Sequence, residues 1–215
     1  MEFWLVRHGS TQANKEGRLQ GTLNFPLSSA GKEEAFCLGE RLKAQPFSLI
    51  LCSDLVRARE TAAIISSRKE SPPPTLYSSL IREYNWGILQ GFTREEIKRR
   101  FPIVYKKLDV DLSHAPIPGE EGVERLFNRA ALFYHFLIRI SKKYTFPVLV
   151  VSHGRFLHAF ILFFLHFSYK NSWPFSVSPA SISILEEINQ RRRIRLFNDV
   201  CHLSFMNIRE GIQKS

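Results

Sequence analysis

The sequence has little cysteine and no long apolar run. Its three cysteines, Cys37, Cys52 and Cys201, are odd in number and widely spaced, which argues against a disulfide framework and indicates thiols in a reducing compartment. The most apolar segment, residues 156–167, contains two histidines and is much shorter than the roughly 20 residues of a membrane span. The N-terminus lacks the basic and apolar regions of a secretory signal, so we expect a cytoplasmic protein.

Acidic residues are scarce relative to basic ones. There are 20 Asp and Glu against 30 Lys and Arg, which gives a formal net charge of +10. A charge of this sign suits nucleic acid, an acidic membrane surface or a negatively charged small substrate. The basic residues, however, form short separate clusters at 98–100, 142–143 and 191–193, without the interleaved aromatic side chains of a nucleic-acid platform. We therefore expect neither a nucleic-acid nor a membrane partner.

Internal repeats and low-complexity blocks are also lacking, and the composition fits one globular domain over residues 1–215. Short apolar or alternating runs predict strands at 2–6, 47–52, 147–152, 181–187 and 193–197, and helical patterns occur at 30–43, 55–68, 120–142 and 156–167. The alternation predicts an α/β fold, a three-layer sandwich with a mainly parallel central sheet flanked by helices. In such sheets ligands bind beyond the carboxyl ends of the strands.

The segment at about 84–118 differs from its surroundings and predicts a small cap-like insertion over a pocket. Thr93 and Glu96 form a capping-box pattern that begins a short basic helix, and Pro102 interrupts that helix. Before the cap, the three consecutive prolines within residues 70–75 predict a surface loop.

Arg7-His8-Gly9-Ser10 lies at the end of the first predicted strand. Gly9 allows a sharp turn, and a strand followed by a tight turn and a helix would aim backbone N–H groups at one point, where an anion binds. Arg7 adds planar donors suited to phosphate oxygens, and His8 adds a side chain that is neutral and nucleophilic near pH 7. An Arg-His pair is also common at the surface end of a strand. The remaining motifs must therefore decide between an anion-binding site and a surface pair.

His153-Gly154 follows the strand at 147–152 and repeats the arrangement of strand, histidine, glycine and helix. Two such histidines at neighbouring strand ends favour a shared site over two structural side chains. A hydrolase that expels an alkoxide also needs a general acid, for which Glu83, in an aromatic neighbourhood, is the candidate. Its alternative role is a surface ion pair with Arg82.

A third strand end, after residues 47–52, carries a basic side chain. Ser53 or Asp54 is expected to cap the helix that follows. Arg57, in the first turn of that helix, either reaches the same anion or forms an exposed pair with Glu60.

Together these segments resemble the histidine phosphatase superfamily (phosphoglycerate mutase-like, branch 1). The matches occur in order over nearly the whole chain, and the combination is highly specific although each motif alone is not. They are R-H-G-x-T-x-x-N at 7–14, G-x(5)-L-x(3)-G-x(3)-A at 21–35, S-x-L-x-R-A-x-x-T-A at 53–62, the acid-bearing segment Glu83-x(3)-Gly87-x(3)-Gly91, and V-S-H-G at 151–154.

The resemblance implies hydrolysis of a phosphomonoester through a phosphohistidine intermediate. His8 would attack phosphorus, while Arg7, Arg57 and His153 would hold the phosphoryl oxygens. Glu83 would protonate the leaving oxygen and then deprotonate the attacking water.

Further positions of the motifs would contact the substrate. These are Asn14, Ser10, Gly9 and Gly154. The resemblance implies no metal and no cofactor, because two arginines and a histidine supply the positive charge. It implies a small phosphorylated substrate, and we expect a monomer or a homodimer.

Two positions depart from the family pattern. Ser10 stands where glutamate is common, and Gln90 precedes Gly91 where another glutamate often does.

The extra segments of glycolytic mutases are not found in this sequence, which favours hydrolysis over a cofactor-dependent phosphoglycerate mutase. Within the family, residues 3–14 and the segment around Trp173 are similar to α-ribazole phosphatases. A non-catalytic binding protein on the same fold is the alternative from another class.

Overall fold

The computed structural model describes residues 1–110, 117–145, 147–168 and 175–204. Within these ranges six strands form one sheet. They are β1 (Glu2–Arg7), β2 (Leu49–Ser53), β3 (Thr75–Ser78), β4 (Val148–Ser152), β5 (Ile182–Ile188) and β6 (Arg191–Asp199).

Helices connect most of the strands. They are α1 (Gln12–Lys15), α2 (Ser29–Leu42), α3 (Val56–Ser67), α4 (Arg94–Arg100), α5 (Pro102–Val110), α6 (Val123–Ile140) and α7 (Gly154–Phe164), with 3₁₀ turns at Ser79–Ile81, Gly87–Leu89 and Cys201–Leu203. None of the helices in the described ranges has both the length and the apolar character needed to cross a membrane.

The strand order is β3-β2-β4-β1-β5-β6. The neighbours β3, β2, β4 and β1 are parallel, whereas β5 runs antiparallel to β1 and β6 antiparallel to β5. The sheet is therefore largely parallel, with an antiparallel pair at one edge, and the predicted α/β class is confirmed. The carboxyl ends of β1, β4 and β2 lie side by side as a result.

Apolar side chains fill both faces of the sheet. In β2, Leu49 and Leu51 belong to one core, and the alternate residues Ile50 and Cys52 belong to the other. Helices α6 and α7 cover the first face and contribute most of its aromatic residues, while α2 and α3 cover the second. This two-sided burial explains why β2 and β4 are apolar at nearly every position.

The predicted elements are present with shifted ends, and one strand was missed. The helix predicted at 120–142 begins only at Val123, because Gly122 has a φ of 79° that no helix accommodates. The helix predicted at 156–167 spans Gly154–Phe164 and stops before His166, whose φ is 62°. Strand β3 was not predicted, because it has four residues at a partly exposed sheet edge directly after the proline run.

The predicted cap at 84–118 contains α4 and α5. The capping box of Thr93 and Glu96 begins α4 as expected; α4 ends at Arg100, and Pro102 is the first residue of α5. An isolated β-bridge between Trp86 and Glu120 joins the two ends of this segment at its base. Residues 111–116 of the cap lie outside the described residues, as does Trp173.

Gly9 brings the loop after β1 against the first turn of α2. A Cβ on Gly9 would lie 2.4 Å from the carbonyl oxygen of Gly31, and a Cβ on Gly31 would lie 1.9 Å from that of Ser10. Such distances leave no room for a side chain on either residue. Gly9 is therefore required by a close backbone contact, and it positions His8, which precedes it.

We expect Gly9→Ala to lower the free energy of unfolding by about 1–3 kcal/mol, because the added methyl group must push the loop away from α2. Urea unfolding measures the change. Gly17→Asn is the matched control, because the space around Gly17 is open and asparagine tolerates its φ of 68°. Equal stability of Gly9→Ala and the parent chain would contradict the prediction.

Candidate active site

The side chains at the ends of three adjacent parallel strands meet at one point. Arg7 ends β1 opposite Ser152 of β4, so that the next residues, His8 and His153, lie side by side with ring centroids 5.0 Å apart. Ser53 ends β2 on the other side of β4. The sheet therefore brings residues that are far apart in the sequence close together in space.

The hydrogen bonds of His8 leave one ring nitrogen unprotonated. Nδ1 lies 2.7 Å from the carbonyl oxygen of Gly9, which can only accept, so Nδ1 carries the proton. Nε2 then presents its lone pair, which accepts a hydrogen bond from Nε of Arg57 at 3.1 Å. His8 is almost fully buried, so its ring is held in this orientation.

Both imidazoles are neutral. Burial lowers the pKa of His8 well below its usual value of 6.5, and the charges of Arg57 and Arg7 lower it further. Burial also lowers the pKa of His153 well below 6.5, with the charge of Arg57 as the next cause. A neutral imidazole at pH 7 is the form that can act as a nucleophile.

Arg57 is fully buried and bound by main-chain oxygens. Its Nη1 donates to the carbonyl oxygen of Leu23 and its Nη2 to that of Gly21, each at 2.7 Å. Burial lowers the pKa of Arg57 to about 10, which leaves the guanidinium charged at pH 7. Arg57 therefore reaches the site, and the exposed pair with Glu60 does not form, since Glu60 accepts a hydrogen bond from a main-chain N–H instead.

Arg7 also lines the cavity at this site. Its Nη1 donates to the carbonyl oxygen of Val177 at 2.5 Å, while its buried Nε makes no hydrogen bond within the described residues. The guanidinium lies against Gly154, where a Cβ would be 3.4 Å from Arg7 Cζ. This is an ordinary van der Waals distance, so Arg7 packs directly against the backbone at Gly154.

Ser53 holds His153 rather than capping α3. Its Oγ lies 2.7 Å from Nε2 of His153. Helix α3 begins after Leu55 without a side-chain cap, so the expectation that Ser53 or Asp54 caps it is wrong. Asp54 instead accepts two hydrogen bonds from Arg82, at 2.7 and 2.5 Å.

Glu83 enters the same site from the loop after β3. Its Oε1 accepts hydrogen bonds from the main-chain N–H groups of Tyr84 at 2.8 Å and Arg155 at 3.1 Å. Arg155 is in the first turn of α7, where the helix dipole favours a carboxylate. The alternative pair of Glu83 with Arg82 does not form, because Arg82 binds Asp54.

A cavity of about 320 Å³ joins these groups. The predicted residues that line it are Arg7, His8, Asn14, Arg57, Glu83 and Gly154. Asn14 uses its Oδ1 to accept hydrogen bonds from Thr11, which leaves its amide N–H groups as possible donors to a substrate. The structure therefore brings most of the predicted residues to one surface.

Gly9 and Ser10 do not line this cavity, and neither does His153, although its ring centroid lies 5.0 Å from that of His8. The hydroxyl and main-chain N–H of Ser10 both donate to Glu34, each at 2.7 Å, and the N–H of Gly9 donates to Thr61. The expectation that backbone N–H groups after β1 point at an anion is therefore wrong. Side chains of β1 and α3 supply the positive charge instead.

Several lining residues were not predicted. They are Arg18, Leu19, Gln20, Gly21, Trp86, Arg155, His158, Phe175, Ser176 and Val177. Arg155 directly follows the His153-Gly154 motif, which is a signal that could have identified it, whereas 175–177 are brought in only by the tertiary fold. Among the described residues of the cap, Trp86 lines the cavity. The described residues contain no group of three or more His, Cys, Asp or Glu side chains that could hold a metal ion.

Comparison with known proteins identifies one family. The model of the histidine phosphatase superfamily (branch 1) matches residues 3–200. Phosphoglycerate mutase-like protein 4 of Arabidopsis thaliana is 36% identical over 71% of this chain and 66% of its own length. Metal-independent phosphoserine phosphatase of the same organism is 32% identical over 94% of this chain and 83% of its own length.

A solved structure supports the fold. The α-ribazole phosphatase from Shigella flexneri superimposes with a TM-score of 0.85 at 28% identity, covering 93% of this chain and 97% of that one.

The buried neutral histidines predict a loss of stability in mild acid. Besides His8 and His153, burial lowers the pKa of His202, and it lowers that of His158 to about 4. The histidines of the unfolded chain bind protons below about pH 6.5, whereas the buried histidines of the folded chain do not. The free energy of unfolding therefore decreases as the pH is lowered, by up to about 1.4 kcal/mol per pH unit for each histidine.

Urea unfolding between pH 7.5 and 5.5 measures this slope. The carboxyl groups with a lowered pKa titrate below 4.5 and do not contribute in this range. We expect His8→Gln to show a shallower slope than the parent chain. A stability that does not change between pH 7.5 and 5.5 would refute the linkage.

Proposed function

The chain belongs to the histidine phosphatase superfamily (branch 1) and is a phosphatase, and we propose that it hydrolyses small phosphomonoesters without a metal, through a phosphohistidine. The observation that carries the proposal is the protonation state and the position of His8. Its Nε2 is unprotonated at pH 7 and lies 3.1 Å from a buried guanidinium, in the cavity that also exposes Glu83.

In the first step, Nε2 of His8 attacks phosphorus and the bond from phosphorus to the ester oxygen breaks. Glu83 transfers its proton to the departing oxygen, which leaves as an alcohol. Arg57 and Arg7 offset the negative charge of the transferring group, which is the contribution a metal ion would otherwise make.

In the second step, water attacks the phosphohistidine. Glu83, now ionised, takes a proton from that water, the N–P bond breaks, and inorganic phosphate leaves. His8 recovers its lone pair, and Gly9 keeps Nδ1 protonated throughout by accepting its hydrogen bond. The two steps return the enzyme to its starting state.

We expect the chain to hydrolyse p-nitrophenyl phosphate in the presence of EDTA, and His8→Ala to have no measurable turnover. His8→Ala also tests the binding-protein alternative, because a protein that only binds would give the same phosphate release with and without His8. Transfer of phosphate from a bisphosphorylated donor to 3-phosphoglycerate, with no phosphate released, would favour the mutase instead.

Glu83→Gln is expected to slow hydrolysis of an alkyl phosphate by roughly 100-fold or more, the usual effect of losing a general acid. The loss should be smaller for p-nitrophenyl phosphate, because p-nitrophenolate leaves without protonation. Asp54→Asn is the control, since Asp54 is a carboxylate of the same region that does not line the cavity. An unchanged rate with the alkyl phosphate would place the acid elsewhere.

A further inference from the structure

The proposed general acid, Glu83, lies in a segment without regular secondary structure. Residues 82–85, all within the described part of the chain, follow the 3₁₀ turn Ser79–Ile81 and belong to no helix or strand. Hydrogen bonds of a sheet or helix therefore do not fix the main chain around Glu83. Its position depends on hydrogen bonds from other parts of the fold, which can be identified one by one.

Arg129, in α6, binds the main chain immediately before Glu83. Its Nη1 donates to the carbonyl oxygen of Leu80 at 2.6 Å and to that of Arg82 at 3.0 Å. The N–H donors of a guanidinium have a fixed planar geometry, so a guanidinium that is itself held in place also fixes the groups that it binds. The peptide group that joins Arg82 to Glu83 is therefore held by a side chain that is distant in the sequence.

Glu121 orients the guanidinium of Arg129 and binds the main chain on the other side of Glu83. Its carboxylate accepts hydrogen bonds from Nε and Nη2 of Arg129, the second at 2.9 Å. Oε2 of Glu121 also accepts from the main-chain N–H of Asn85 at 3.3 Å, and the main-chain N–H of Glu121 donates to the carbonyl oxygen of Asn85 at 3.0 Å. The pair of Arg129 and Glu121 thus holds the segment at Arg82, before the acid, and at Asn85, after it.

This pair lies outside the cavity. Glu83 lines the cavity, whereas neither Arg129 nor Glu121 is among the described residues that do so. The guanidinium carbon of Arg129 instead lies 5.3 Å from the ring centroid of Phe156, a core residue of α7. An effect of Arg129 on the reaction must therefore be transmitted by a group that lines the cavity, and Glu83 is the one whose main chain it holds.

We propose that Arg129, oriented by Glu121, is a positioning residue that keeps the carboxyl group of Glu83 within reach of the leaving oxygen. This inference rests on the proposed hydrolysis, in which Glu83 is the general acid. Proton transfer needs a distance of about 2.6–3.2 Å between the heavy atoms, and a misplacement of about 1 Å can slow a reaction roughly 100-fold. Without Arg129 the segment keeps the hydrogen bond from the Ser152 hydroxyl to the carbonyl oxygen of Ile81, so we expect a displaced acid in a folded chain.

The test compares glycerol 2-phosphate, whose alkoxide must be protonated as it leaves, with p-nitrophenyl phosphate, whose leaving group needs no proton. We expect Arg129→Met to lower the ratio of kcat/KM for glycerol 2-phosphate to that for p-nitrophenyl phosphate about tenfold. The value of kcat/KM includes only the steps up to departure of the alcohol, so hydrolysis of the phosphohistidine does not affect the ratio. Arg129→Lys, which retains a donor for the carbonyl groups, should restore part of it.

Glu83→Gln separates positioning of the acid from a general effect on the structure. When the acid is absent, Arg129 has no acid to position. Arg129→Met should therefore lower kcat/KM for glycerol 2-phosphate much less in the Glu83→Gln chain than in the parent chain. A residue that only stabilises the fold would cause the same loss in both chains.

Arg139→Met is the matched control, because Arg139 is an exposed arginine of the same helix and its loss should leave the ratio unchanged. Glu121→Gln is the second variant and gives the answer if Arg129→Met fails to fold. Its side chain has the same shape without the charge, so it weakens the bond that orients Arg129 and should also lower the ratio.

A ratio that stays at the parent value in Arg129→Met, or in Glu121→Gln where Arg129→Met does not fold, overturns the positioning role while hydrolysis itself stands. Equal losses from Arg129→Met with and without Glu83 overturn it as well. Unchanged hydrolysis of glycerol 2-phosphate by Glu83→Gln would instead remove the assignment of the acid, and a parent chain that hydrolyses neither ester would remove the proposed function. This inference fails with either.

Discussion

The contact between Arg57 and His8 is the constraint on which the rest of the site depends. Burying a guanidinium is unfavourable unless its donors are bonded, and the carbonyl oxygens of Gly21 and Leu23 meet this need. Burial keeps His8 neutral, and the charge retained on Arg57 lowers the pKa of His8 further. One buried cation therefore reinforces the neutral state of the candidate nucleophile and also binds the loop that carries Gly21 at one wall of the cavity.

Backbone contacts hold this arrangement from behind. Gly9 lies against Gly31 with no space for a side chain, and Arg7 packs against the backbone at Gly154. Ser53 binds His153 at 2.7 Å from the end of the neighbouring strand. These supports come from three strand ends and two helices, so packing and hydrogen bonds orient the polar groups of the site, as electrostatic stabilisation of a transferring phosphoryl group requires.

The errors of the sequence analysis have physical causes. Strand β3 was missed because a short, half-exposed edge strand has no clear alternation of apolar residues. The prediction of a backbone anion site after β1 was wrong because the N–H groups of Ser10 and Gly9 donate hydrogen bonds to Glu34 and Thr61, both distant in sequence. Ser53 was assigned to a cap by its position, yet its hydroxyl is used by His153.

The sequence alone determined the α/β class, the buried strands and the residue types of the chemistry, because periodicity and motif spacing are local properties of the chain. It identified His8, Arg57 and Glu83 as candidates. Only the tertiary structure decided that these groups share one cavity and that Arg155 lies beside the acid. Burial, hydrogen-bond partners and pKa values arise from contacts between residues far apart in sequence, and no local pattern encodes them.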